Sequence, residues 1–318
     1  MSDFVFSPAM TEAKQAVDKL RANMRRTIKG KDDVIERTIV CLLARGHLLI
    51  EDLPGVGKTT LAYSLACAFS RIQFTSDLLP SDVTGVAIYD ANTKEFVFKK
   101  GPVFASIVLA DEINRATPKT QSSLLEVMDR SNVTIDGEAH TVGSPFMVFA
   151  TQNPVDYEGT FPLPESQMDR FLMRIHMGYH TGVDEMDILR SAQTNYDAIS
   201  LDPVLTRTEV AHLQEITAQV FVEDSVLEFV LKIVNATRTE AEFKAGVRVR
   251  GGLDLKHAAQ AQALAWGRAF VIPEDVTALV VPVLGHRLGL ARPSSDALKE
   301  RRAVTAALKR IVESLPSP

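Results

Sequence analysis

The chain has 318 residues, 46% hydrophobic and 24% charged, enough to bury a substantial core and to build two domains. A formal net charge of −5 and a pI near 5.9 argue against a surface devoted to nucleic acid. No apolar run approaches the ~20 residues that cross a bilayer, and MSDFVFSPAM lacks the basic start and long apolar core of a secretion signal, so the expectations are no membrane insertion and a cytoplasmic location.

Residues 8–29 read as a helix of alternating charge that ends at Thr27-Ile28-Lys29-Gly30. A second helix, Asp32 to Arg45, carries Asp32 and Asp33 in its first turn, where negative charge is favourable. Ile28 and Gly30 stand where a nucleotide base would need an apolar wall, and core packing explains them equally well. Cys41 and Cys67 lie in apolar helical stretches and read as core.

The stretch HLLIEDLPGVGKTTLAYSLA organises the chain. His47 to Glu51 reads as a buried strand, Leu53-Pro54-Gly55-Val56-Gly57 as a turn, and Lys58 to Phe69 as a helix. Strand, loop and helix in that order gather unpaired N–H groups and a helix dipole around one small volume, which suits a phosphate. Gly55 and Gly57 permit backbone angles that a side chain forbids, Lys58 can reach the outer phosphates, and the Thr59 hydroxyl can ligate Mg²⁺. The candidate nucleotide-binding positions are Pro54, Gly55, Val56, Gly57, Lys58, Thr59 and Thr60, with Ile28 and Gly30. Asp52 stands where the strict G-x-x-x-x-G-K-[ST] pattern has its first glycine.

A second strand, RIQFTS, precedes GVAIY and EFVFK, two alternating runs joined by Asp90 to Lys94, which read as an inserted hairpin. Its Val86, Ile88, Phe96 and Phe98 are expected to press on a partner, pack on a neighbour, or simply cover the sheet edge. SIVLADEINRA is an apolar strand ending in Asp111 and Glu112, 53 residues beyond Lys58. Neighbouring parallel strands bring their ends together, so Asp111 can reach a Mg²⁺ held by Thr59 while Glu112 orients a water. Thr117 to Arg130 is a helix, and NVTIDGEAHTV a second hairpin around Asp136-Gly137. A fourth strand, PFMVFATQNP, delivers Gln152 and Asn153 at its end, where a buried amide needs a partner. FPLPESQMDRFLMRIHMG closes the sheet, and Arg170 within it is poorly explained as a random surface charge. His176 and His180 form no metal pattern.

From Tyr179 the pattern becomes helical, giving expected units of 1–178, a nucleotide-binding core, and 179–318, an all-α domain. Pro273-Glu274-Asp275 is a clean helix start. Arg45, Arg248, Arg250 and the Lys299, Arg301, Arg302 cluster are basic candidates that read as nucleotide contacts or solvated faces.

LADEINRA, VTIDGE, ATQNP, EGTFPLPESQMDRF and GRAFVIPEDV resemble the signatures of MoxR-type ATPases of the AAA+ superfamily, from about Thr27 to the end of the chain. Asp52 matches that family's pattern too. The resemblance implies an α/β P-loop core with five parallel strands, inserted hairpins, a helical lid, and a ring, commonly a hexamer. It implies ATP/ADP and Mg²⁺ as ligands, Lys58 and Thr59 as the Walker A pair, and Asp111 and Glu112 as the Walker B pair. Asn153 resembles the sensor of the γ-phosphate, Arg170 the arginine finger, and Arg250 the lid arginine. Gly246-Val247-Arg248-Val249-Arg250 departs from the family's Gly-Ala-Ser-Pro-Arg, which leaves Arg248 as the other candidate for the lid role.

The function implied is a chaperone-like ATPase that remodels proteins carrying von Willebrand factor A domains. The alternatives are the motor subunit of a metal-chelatase-like complex and a nucleotide-gated scaffold with little turnover. A DNA translocase is disfavoured by the acidic balance.

Overall fold

The structure, a computed structural model, describes residues 8–52, 57–65, 69–153, 159–178, 182, 186, 203–292 and 296–318. Two helices lead in, α1 (Pro8–Thr27) and α2 (Asp32–Leu43). The central sheet is built from β1 (Leu48–Glu51), β2 (Phe69–Gln73), β5 (Ile107–Asp111), β8 (Met147–Gln152) and β9 (Met173–Ile175). All pairings are parallel, in the order β2-β5-β8-β1-β9. Because β1, β5 and β8 are inner strands covered on both faces, they are continuous apolar runs, as the sequence suggested.

Helix α3 (Lys58–Ser64) follows the phosphate-loop segment. The expected helix from Lys58 to Phe69 is too long: Phe69 already begins β2, which also starts two residues ahead of RIQFTS. The apolar residues of SLACAFS fit either periodicity, and only strand pairing of Phe69 with Ile107 settles the last one. Cys67 lies outside the described residues, and Cys41 is fully buried.

A short helix, α4 (Pro80–Thr84), leads into the first hairpin, β3 (Gly85–Asp90) with β4 (Glu95–Lys100). Its register pairs Ile88 with Val97 and Tyr89 with Phe96. The four apolar residues named from the sequence fall on two faces: Val86 and Ile88 share one with Val97, while Phe96 and Phe98 share the other with Tyr89. After β5 come a 3-10 turn (Ile113–Arg115) and α5 (Pro118–Arg130), with Thr117 as its N-cap. The second hairpin, β6 (Asn132–Ile135) with β7 (Glu138–Thr141), turns at Asp136 and Gly137, at φ 49° and 85°. His140 stacks on Phe98 at 4.1 Å and joins the two hairpins.

Helix α6 (Glu165–Met168) precedes β9. The C-terminal helices are α7 (Arg207–Gln219), α8 (Asp224–Thr239), α9 (Val249–Ala265), α10 (Pro273–Leu284) and α11 (Ala297–Ser314). The helix expected over DEMDILRSA falls largely outside the described residues. These helices share a continuous apolar core with α1, α2 and one face of the sheet; the opposite face packs a second cluster under α5. Polar ties reinforce the seam. Gln214 donates to the Leu42 carbonyl at 2.7 Å, and Arg287 donates to the Phe171 carbonyl at 2.8 Å.

Candidate active site

The site forms at the carboxyl ends of β1, β5 and β8. Gly57 caps α3 at φ 89°, a left-handed angle costly for any side chain, and Lys58 is the first helical residue. Pro54, Gly55 and Val56 lie outside the described residues, so of the expected loop positions the structure positions Gly57, Lys58, Thr59 and Thr60. Lys58 Nζ donates to the Asp52 carbonyl at 2.9 Å. Burial lowers the Lys58 pKa from its ordinary value, and the neighbouring carboxylates of Asp111, Asp52 and Glu112 oppose that shift. This gathering of three carboxylates around one ammonium is the electrostatic centre of the site.

Asp52 shows why a carboxylate suits the place of a motif glycine. Its Oδ2 accepts from the backbone N–H groups of Met177 and Gly178, the latter at 3.2 Å, and so staples the exit of β1 to the exit of β9. Gly178 also accepts from Lys31 at 3.4 Å, which brings the Ile28–Gly30 turn to the same edge. Ile28 is buried in the core and Gly30 has φ 67°.

The two acids after the strand are held by different means. Asp111 Oδ1 accepts from Thr151 Oγ1 at 2.6 Å, and Thr151 Oγ1 accepts from the Glu112 N–H at 2.8 Å. One hydroxyl of β8 therefore orients both residues. Asp111 Oδ2 accepts from Arg71 at 2.6 Å. Glu112 leaves the strand with φ 56°, which turns its side chain away from the line of Asp111. Its Oε2 accepts from Gln73 at 3.1 Å and from Arg115 at 2.9 Å. Thr151, Gln73, Arg71 and Arg115 were not singled out in the sequence; a polar residue ending β2 and another inside the apolar β8 were the available signals. Asn153 follows β8 directly, and the preceding Gln152 has a buried Nε2 without a partner among the described residues.

The oxygen donors here are a carboxylate, Asp111, and a hydroxyl, Thr59, beside the lysine that would meet phosphates. That set fits Mg²⁺, which binds through one or two carboxylates together with substrate oxygens.

Arg170 and Arg250 stand elsewhere. Both pair with Asp129, at 3.1 and 3.2 Å. Asp129 follows Met128, whose carbonyl meets His47 Nε2 at 3.2 Å, and Leu172 N donates to the His47 carbonyl at 2.9 Å. The cluster thus lies at the amino end of β1, whereas Lys58 lies beyond its carboxyl end; four strand residues separate them by about 13 Å. Helix α9 begins at Val249 with Arg248 as its cap, so Arg250 and not Arg248 reaches Asp129. Arg301 is not a solvated residue: it pairs with Glu51, the last residue of β1, at 3.0 Å, as Arg174 does at 3.3 Å. His176 contacts the Glu51 carbonyl at 2.6 Å, and His180 lies outside the described residues.

Comparison with known proteins agrees with this architecture. The profile described as "ATPase family associated with various cellular activities (AAA)" matches residues 47–173, and that of the AAA lid domain matches 235–307. Chaperone MoxR1 of Mycobacterium tuberculosis is 40% identical over 309 residues, spanning 93% of this chain and 80% of that protein. YeaC of Bacillus subtilis is 47% identical over 84% of this chain and 85% of its own length. A crystal structure of a Cytophaga hutchinsonii protein described as an ATPase superposes with a TM-score of 0.85 at 31% identity, covering 98% of this chain and 97% of that one. Sheet order, helical lid and relatives together place the chain in the MoxR family of AAA+ ATPases, as a nucleotide-binding enzyme that hydrolyses ATP.

Proposed function

We propose that the protein works as a Mg²⁺-dependent, ring-forming ATPase, commonly a hexamer, in which each nucleotide is completed by the neighbouring subunit. Residues 1–178 act as the nucleotide core and 179–318 as the lid. Lys58 binds the outer phosphates, Thr59 and Asp111 hold the cation, and Glu112 orients the attacking water. When bound, Mg²⁺ neutralises charge on the phosphates. Asn153 reads the γ-phosphate from the end of β8.

The observation that carries the ring reading is the pairing of Arg170 and Arg250 on Asp129, at the opposite end of β1 from Lys58. Two guanidinium groups sharing one carboxylate retain positive charge to offer. From that position they are remote from their own nucleotide and suited to a neighbour's, where they would stabilise transition-state charge. The test is ATPase activity per subunit across the dissociation range. Specific activity should rise with protein concentration; a constant value would refute the shared site.

The output of the cycle is a chaperone-like remodelling of partner proteins, with von Willebrand factor A domains as the partner class. Support comes from the relative named chaperone MoxR1 and from the exposed apolar hairpin, whose Phe96 is 73% exposed. Trapping the ATP state with Glu112→Gln and identifying what co-purifies tests it. Recovery of no such domain would remove that partner class. Among the described residues no helix is long and apolar enough to cross a membrane.

A further inference from the structure

A cavity of about 540 Å³ lies at the seam between α2, β9, α10 and α11, and none of Gly57 to Thr60 lines it. Its volume is in the range of small-molecule sites. Its lining includes the apolar Ile175, Val281, Leu308 and Val312. It also includes four cations, Arg37, Arg174, Arg301 and Lys309, and one carboxylate, Glu313.

The charge at its inner end is out of balance. Arg174 and Arg301 approach the same Oε2 of Glu51, at 3.3 and 3.0 Å, and among the described residues neither pairs with a second carboxylate. The three side chains are 12%, 17% and 4% exposed, so one positive charge is left nearly buried. Arg301 Nη1 is buried there without a hydrogen-bond partner among the described residues. Burial lowers the Arg174 pKa, Glu51 opposes the shift, and the Arg301 charge adds to it. Arg37, at the rim, has Asp33 only at 3.9 Å. A buried surplus cation is costly unless an anion neutralises it.

We propose that this cavity binds a small organic anion, with a phosphate or carboxylate head between Arg301 and Arg37 and an apolar body against Ile175, Val281 and Leu308. Because two walls belong to the sheet side and two to the C-terminal helices, the bound anion fastens one to the other. We place it apart from the ATP site because none of Gly57 to Thr60 lines it, a separation that Lys58→Ala tests.

The probes are octyl phosphate, octanoate, octanol and inorganic phosphate, titrated calorimetrically and by thermal melting into the full-length, nucleotide-free chain. At least one octyl anion should bind, and the better of the two identifies the head group. At a hundredfold excess over its Kd it should raise Tm by about 4 °C or more, whereas octanol should not. Arg301→Met leaves Glu51 paired with Arg174 and removes only the surplus charge. Arg37→Gln leaves the buried trio untouched, and decides the matter if the first variant fails to fold. Each should weaken anion binding at least tenfold, while Lys58→Ala should not change it. Binding of neither octyl anion, equal binding of octanol, or affinity unchanged in Arg37→Gln would each overturn the proposal. So would loss of binding in Lys58→Ala, which would put the anion at the phosphate loop.

Discussion

The Gln73 side-chain amide donates a 3.1 Å hydrogen bond to Oε2 of Glu112, across the β2–β5 pairing that sets Gln73 beside Asp111. With Arg115 on the same oxygen, the carboxylate is restrained by two donors. Glu112→Gln should leave ATP affinity within about threefold while lowering turnover at least ~100-fold, because in the proposed mechanism the carboxylate acts only on the attacking water. Gln73→Leu frees one of its restraints and should raise basal turnover by up to about fivefold, the equivalent of one net hydrogen bond of ~1 kcal/mol. A fall in turnover would show that Gln73 positions Glu112 for the reaction.

Lys58→Ala should weaken ATP binding by at least ~30-fold, the loss of a charge-assisted contact worth about 2 kcal/mol or more. Arg170→Ala should bind ATP normally and turn over slowly. Mixing these two inactive variants makes the shared-site reading testable. Subunits with intact Arg170 can complete subunits with intact Lys58, so activity should reappear on mixing. If the mixture stays as inactive as its components, Arg170 does not act across an interface.

His47 supplies a pH prediction. Val148 N–H donates to its Nδ1 at 3.0 Å and its Nε2 meets the Met128 carbonyl at 3.2 Å, so the neutral ring with hydrogen on Nε2 satisfies both neighbours. Burial lowers its pKa from 6.5 to about 4, against the hydrogen bond to Met128 and the charge of Asp129; Arg250 adds to the lowering. The unfolded chain therefore takes up this proton first. Stability should be complete above pH 6.5 and fall progressively as the pH drops towards 4, by up to about 3 kcal/mol from this group. His286, buried and lowered in the same direction, adds to the loss. Imidazole NMR should show His47 neutral at pH 5; a midpoint near 6.5 would contradict the burial argument.

The hairpin makes a fourth prediction. Tyr89 and Phe96 pack edge to face at 5.5 Å and are 54% and 73% exposed, while Phe98 is tied to the second hairpin through His140. Tyr89→Ser with Phe96→Ser should preserve basal ATPase and assembly and abolish stimulation by a protein partner. If stimulation persists, that face is not the contact. Phe98→Ala should instead loosen the joint between the hairpins, seen as faster amide exchange in β6 and β7.

Much of the nucleotide site was legible because its chemistry is local. The strand, glycine-bearing turn, Lys58 and Thr59 are consecutive, and the acids Asp111 and Glu112 terminate an apolar run; order along the chain already implies their places. The periodic elements followed for the same reason. Phe69 went astray because a short apolar stretch serves helix and strand alike, and the division of the hairpin residues between two faces was not legible because register depends on the partner strand.

What the chain by itself determined was the inventory: a glycine-bearing turn, two acids, a polar strand end and several arginines of uncertain address. Only the tertiary structure decided the addresses, because long side chains take partners that are distant in sequence. Asp129 collects Arg170 and Arg250 from positions 80 residues apart, at the end of β1 remote from Lys58. Thr151 binds Asp111 across 40 residues, and Glu51 draws in Arg301 from the last helix. No periodicity encodes such pairings. They follow from which strands lie side by side and from the need of each buried charge for an opposite one.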